Sequence, residues 1–413
     1  MRKRHKNTSL RESPKGDRSN LLGARRLLRH SLRSLLAMTM LTICVLSVQA
    51  YADVKSYKSP IVRVAVIKDA KQLELSIKSA FKIMPLEMDE ALHSDKLMKK
   101  SLVSPTKWGL KIADMDFKLY GVRIIPDADS AIHINNSIFR GEVDIVRQKD
   151  ETLLVVNHIN VEDYLRGVLY HEVSHWWPQA TLQAQAIASR TFALYQARIN
   201  KSKDYDLECS VISQVYGGVT SERLRTNEAV YKTIGKVITY KGKLLPAYFH
   251  ATCAGHTEAA SVLWKDDLEP LRGVVCNFCR QSPHYSWKKA LPVADIEKAI
   301  GIEGIKNITP VKWSASGRVT LLSIETKYKN IEYSAKDFRQ KLGGNVLRSA
   351  IFKIEIKNGL YGKPVAYING AGWGHGVGMC QWGAFGAARN GYNAEKILKY
   401  YYPGADIEMY NGQ

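Results

Sequence analysis

Tyr164-Leu165-Arg166-Gly167-Val168-Leu169-Tyr170-His171-Glu172 is the stretch that divides the chain. With Val161, its apolar residues Tyr164, Leu165, Val168 and Leu169 recur at i, i+3, i+4, i+7 and i+8, which predicts an amphipathic helix. Glu172 continues the same face at i+11. Burial against apolar side chains disfavours a charged carboxylate and raises its pKa, the condition for a general acid near neutral pH. The plainer reading is a glutamate at a helix end, solvated or paired with His171, His175 or an arginine.

Ser174-His175-Trp176-Trp177-Pro178 closes this helix and opens another, with Pro178 suited to a first helical turn. Ala180, Ala184, Ile187, Thr191 and Leu194 form a small-residue stripe that allows close packing, and Gln185 and Arg190 add polar groups near that surface. A guanidinium at Arg190 has the donor fork to orient a carboxylate or sugar hydroxyls. The alternative is an arginine salt-bridged at the helix edge.

Working outward, residues 60–157 read mostly as strands. Val62–Ile67 and Leu153–Val156 are rich in β-branched residues, and Gly141–Val146 alternates. Residues 69–110 are the least readable stretch, expected to be an inserted helical element or a loop. Helices are expected at 161–199, around 225–233 and near 384–400. Strands return at Val237–Tyr240, Val319–Ile324 and Ile351–Ile356. Strands, then helices, then mixed elements argue for an α+β fold with a central helical block and a β-rich N-terminal part.

Residues 1–33 hold eleven Lys or Arg against two acids, about +9 of the chain's +21. They precede the apolar run Leu35–Val48, and Ala50-Tyr51-Ala52 offers a small-x-small cleavage site, so residues 1–52 read as an export signal or an N-terminal anchor. Export to the periplasm or cell envelope is expected, with membrane contact only through that segment. The remaining basic residues are scattered, with no compact basic helix, which argues against a nucleic-acid partner. A positive balance of about +12 outside that segment suits work near anionic envelope polymers.

Removing Cys44 with the export segment leaves Cys209, Cys253, Cys276, Cys279 and Cys380, an odd number that cannot all pair within one chain. Cys276-Asn277-Phe278-Cys279 is a C-x-x-C, able to supply two thiolates from one turn. With Cys253 and His284 it makes a four-ligand set for structural zinc, and His256 is the next choice for the fourth place. The alternative is a disulfide between two of these cysteines, since an exported chain meets an oxidising compartment. Cys209 stays unassigned.

The blocks 162–172, Trp177-Pro178 and 184–193 together resemble the central part of the stage II sporulation protein D family (SpoIID/LytB). So do Gln214–Gly218, Phe249–Glu258, Ser314–Arg318, Gly372–Ala384 and Tyr401–Gly404, in that order, so the likeness spans roughly residues 60–410. The resemblance divides the chain into 1–52, a β-rich part at 53–157 and a catalytic core at 158–410. It implies a peptidoglycan lytic transglycosylase acting on glycan strands stripped of their peptides and leaving 1,6-anhydromuramic acid ends. The family's catalytic glutamate falls on Glu172 and its essential arginine on Arg190. Gln185, His256, His375 and Gln381 are the further residues expected to meet substrate. For His375, in the glycine-rich block 372–384, the alternative is a tight turn in which it pairs with backbone. Because LytB members are described as amidase enhancers, the second reading is a non-catalytic wall-binding enhancer of a cell-wall amidase. A third is an envelope scaffold that binds glycan without cutting it.

Overall fold

A computed structural model describes residues 57–127, 130–210, 213–264, 267–359 and 362–412. The export segment 1–52 and its apolar run lie outside the described residues. Lys58–Gln413 form one compact unit.

Its β-rich part builds two sheets over a shared core. One runs in the order Leu207–Glu208, Ile61–Ala70, Leu153–Asn160, Glu142–Arg147, Gly121–Pro126, Phe81–Pro85, His93–Asp95. The other runs Ser137–Arg140, Ala131–Ile134, Leu73–Ile77, Met98–Thr106, Gly109–Ile112, Met115–Phe117. Strand side chains alternate between faces. Thus Leu73, Leu75 and Ile77 are buried while Glu74 is exposed, and Phe81 and Ile83 are buried while Lys82 is exposed. Residues 69–110, expected as a helical insert or a loop, are therefore mostly strands, with a loop at 86–92. Their alternation is written in runs of about five residues with lysines on the wet face, too short to stand out from a loop.

The dividing stretch is the helix Val161–Glu172 (α1). Asn160 caps it, its side-chain Oδ1 accepting from the Asp163 amide at 2.9 Å, and Glu162 and Asp163 favour the positive helix start. Val161, Tyr164, Leu165, Val168 and Leu169 are all fully buried, the face the spacing predicts. They join the core of the two sheets. After Pro178, the helix Gln179–Ile199 (α2) is buried continuously from Thr181 to Leu194 except at Gln183. Helix Leu224–Lys232 (α3) packs against both.

Beyond residue 285 a third hydrophobic core forms around Ile296, Ile308, Leu322, Phe338, Phe352 and Ile368. It lies among two three-stranded antiparallel sheets and the helices Val293–Ile300 (α4) and Ala335–Leu342 (α5). A second core lies between α2 (Ala184, Ile187, Ala188) and Ile238, Leu245 and Ala247, and the chain returns to it through Met379–Cys380, which pairs in parallel with Phe249–His250. Helices Gln381–Arg389 (α6) and Ala394–Tyr401 (α7) follow and pack on α2. The fold is α+β. Among the described residues no helix is long and apolar enough to cross a membrane.

Candidate active site

Glu172 is the last residue of α1, at the end of its buried face. Its side chain is partly buried, and loss of water around it raises its pKa from 4.5 to about 7. Hydrogen bonds from Gln381 and from the Val215 backbone oppose that rise without cancelling it. Gln381 Nε2 lies 3.4 Å from Glu172 Oε2 and 3.4 Å from Gln185 Oε1, while Gln185 Nε2 donates to Ser189 Oγ at 3.0 Å. Residues from the end of α1, the middle of α2 and the start of α6 thus meet around one carboxyl group. None of the ion pairs imagined for a plain helix-end glutamate forms at Glu172. His171 instead hydrogen-bonds Ser221 Oγ at 2.6 Å.

The wall below Glu172 is polar and fully buried. Tyr164 Oη donates to Gln214 Oε1 at 3.0 Å. Aromatic rings lie on the segments that flank Glu172 and Gln381 in sequence. Trp176 is 75% exposed, and Arg223 lies 4.3 Å over the Tyr170 ring. Trp177 and Trp382 meet edge to face at 5.0 Å, which ties the turn after Glu172 to the start of α6. Exposed aromatic faces beside hydrogen-bonding side chains suit a polymer that carries both apolar ring faces and hydroxyls. A groove of about 850 Å³ elsewhere, lined by Trp287, Pro310, Trp313 and Phe352 among others, contains none of these residues.

Arg190 is not at this surface. It is fully buried, with Nε and Nη2 donating to the two Glu162 carboxylate oxygens at 2.8 and 2.7 Å and Nη1 to the Lys236 carbonyl at 3.0 Å. The arginine expected to hold substrate instead locks α1 to α2 and to the turn at 235–236. Periodicity places it on a buried face and cannot say that a carboxylate waits opposite. Glu162 was the available clue, 28 residues earlier in the same block.

His375 also follows its plainer reading. It hydrogen-bonds the Phe249 carbonyl through Nε2 at 2.9 Å and accepts from the Val377 amide at Nδ1, 3.1 Å, and burial lowers its pKa to about 4. A neutral imidazole with both nitrogens used by backbone has nothing left for a sugar. The loop around it is tight: a Cβ at Gly376 (φ +92°) would sit 2.5 Å from the Arg318 guanidinium carbon. His256 hydrogen-bonds the Thr257 carbonyl at 2.6 Å and pairs with Val275, so its contacts belong to the cysteine loop rather than to the group around Glu172.

The metal set is partly corrected. Cys253, Cys276 and Cys279 come together, but the fourth member is Cys380, all four buried with their sulfurs within 4.8 Å of one another. His284 lies outside that group, edge-on to Trp373 and 3.4 Å from Arg348. Cys380 escaped the sequence reading because it lies about a hundred residues from the C-x-x-C. Cys209 is separate, its thiol against the backbone of Tyr216.

A two-sheet β part with a helical pair, holding a partly buried carboxyl at the end of its first helix, defines an α+β protein built around one candidate acid. Residues 149–240, which hold Glu172, Gln185 and Arg190, match the family model described as "Stage II sporulation protein", SpoIID, and residues 277–378 match one described as "Domain of unknown function (DUF8618)". The chain belongs to the SpoIID family. It is 31% identical to an uncharacterized protein of Brachyspira hyodysenteriae over 85% of this chain and 94% of that one. It is 28% identical to the stage II sporulation protein D of Bacillus subtilis over 61% of this chain and 75% of that protein. With the protein named amidase enhancer from Bacillus subtilis it shares 26% identity over 60% of this chain but 40% of the relative.

Proposed function

We propose that this protein is a peptidoglycan lytic transglycosylase that cleaves glycan strands, preferably those stripped of peptides. The observation that carries the reading is the carboxyl of Glu172, raised to about 7 and held by Gln381. A glycosidase that hydrolyses needs a second carboxylate; the groups that bond Glu172 are instead the Gln381 amide and the Val215 backbone. One group suffices if the substrate supplies the nucleophile. Glu172 protonates the leaving glycosidic oxygen, the sugar–oxygen bond breaks, and the resulting carboxylate takes the proton of the muramic acid C6 hydroxyl as that oxygen closes on carbon 1. The carboxyl is regenerated and no water is consumed.

Gln381 holds the carboxylate by donating from Nε2. Gln185 fixes Gln381 in turn. On this reading residues 1–52 deliver the chain to the envelope, and the cofactor is a structural zinc ion at the cysteine cluster that supplies no group to the reaction. The name of the amidase-enhancer relative favours a second reading, in which the chain binds the wall and assists a cell-wall amidase. Purified protein added to peptide-free glycan separates the two. Soluble fragments support the enzyme. Retention on glycan without fragments, together with stimulation of an added amidase, supports the enhancer.

A further inference from the structure

We propose that Cys253, Cys276, Cys279 and Cys380 bind one zinc ion as four thiolates, and that this ion fixes Gln381 against Glu172. The sulfurs are grouped as four rather than as two pairs: all lie within 4.8 Å of one another, with Cys253 and Cys279 at 3.6 Å. Zn–S bonds of ~2.3 Å in a tetrahedron place sulfurs ~3.8 Å apart, so a small contraction accommodates the ion.

The surroundings are those of a thiolate site. The amides of Cys253 and Gly383 donate to Cys380 Sγ at 3.2 and 3.3 Å, and Tyr401 Oη hydrogen-bonds Cys276 Sγ at 3.1 Å. Donors of this kind orient ligand sulfurs and offset their charge. Zinc with four thiolates carries a net negative charge. Arg318, only 3% exposed, points its guanidinium at this loop, donating to the Cys253 and His256 carbonyls at 3.0 and 2.9 Å, and is linked through Ser316 Oγ to the buried carboxylate of Glu258.

The three chain segments that meet here are far apart in sequence. The C-x-x-C loop lies on α6, where a Cβ at Gly383 would fall 2.8 Å from Cys276 Sγ and one at Gly386 2.1 Å from the Phe278 carbonyl oxygen. Cys380 is also the cap of α6, and the next residue is Gln381. A ligand fixed by the ion therefore sits one peptide from the amide that holds the candidate acid.

The test uses the full chain, purified in air without reductant. Elemental analysis and thiol titration should give about one zinc per chain with the four cysteines protected until the metal is removed. Replacement by cobalt(II) should give the visible absorption of a tetrahedral thiolate complex, lost in Cys276→Ser. No zinc with bridged cysteines, or iron in its place, overturns the site. The link to Gln381 is read by the titration of Glu172, followed as the infrared difference from Glu172→Gln. Chelation should raise that pKa as Gln381→Ala does; an unchanged titration in the metal-free, folded chain overturns the link. Neither readout requires glycan cleavage, so a chain that binds zinc and leaves glycan intact removes the transglycosylase reading while this one stands.

Discussion

At the scale of single residues, the account rests on the contrast between Glu172 and Arg190. Both lie on buried faces of adjacent helices, yet among the described residues one has no charged partner and the other has a bidentate one. Glu172→Gln keeps the shape and removes the proton, so cleavage should fall by ~10²- to 10⁴-fold with the fold intact. Its folded pKa, about 7, exceeds the free value of 4.5. The protonated form is therefore favoured by folding: that stabilisation is complete below pH 4.5 and is lost as pH rises through 7. Wild-type melting temperature should decline more steeply than that of Glu172→Gln across this window, and activity should fall above it; parallel melting curves would place the carboxyl in water. Arg190→Met takes the bidentate cation away from the buried Glu162 carboxylate, which costs about 3–5 kcal/mol. Denaturation should show this loss while the folded fraction keeps its KM; a selective rise in KM would return Arg190 to substrate binding.

At the scale of elements, α1 was legible because its apolar stripe, acidic first turn and Asn160 cap agree with one another. Asn160→Ala should cost ~1 kcal/mol through loss of the bond to the Asp163 amide, measured by urea unfolding; no change would mean that the cap is replaced by water. The strands at 73–77 and 81–85 were less legible, since five residues of alternation resemble a loop until a partner strand is known. Contacts between distant segments were the hardest to see. His375 and Gln381 are six residues apart in one glycine-rich block, but pairing of Met379–Cys380 with Phe249–His250 sends one into backbone hydrogen bonds and the other to Glu172. Spacing ranks both alike; only the register of that pairing separates them.

At the scale of the whole molecule, the three large hydrophobic cores of the described residues are joined at segments that hold the candidate acid and the cysteines. The second core contains all four clustered cysteines along with α6 and α7. Because assembly of a metal site is coupled to folding, chelation should lower the thermal midpoint of the full chain, and Cys209→Ser, outside the cluster, should leave that response unchanged; loss of the response in Cys209→Ser would show that the ligand set is misassigned. The odd cysteine count says only that the five thiols cannot all pair; that Cys380 takes the place expected for His284 depended on the return of residue 380 to the loop at 253–279.

The central claim is that the Glu172 carboxyl, with the substrate's own hydroxyl as nucleophile, cuts glycan. Mass spectrometry of the products released from purified peptide-free glycan tests it most directly. Fragments ending in 1,6-anhydromuramic acid, absent with Glu172→Gln, are the predicted result. Fragments ending in reducing muramic acid, or no soluble fragments from folded protein, would contradict it.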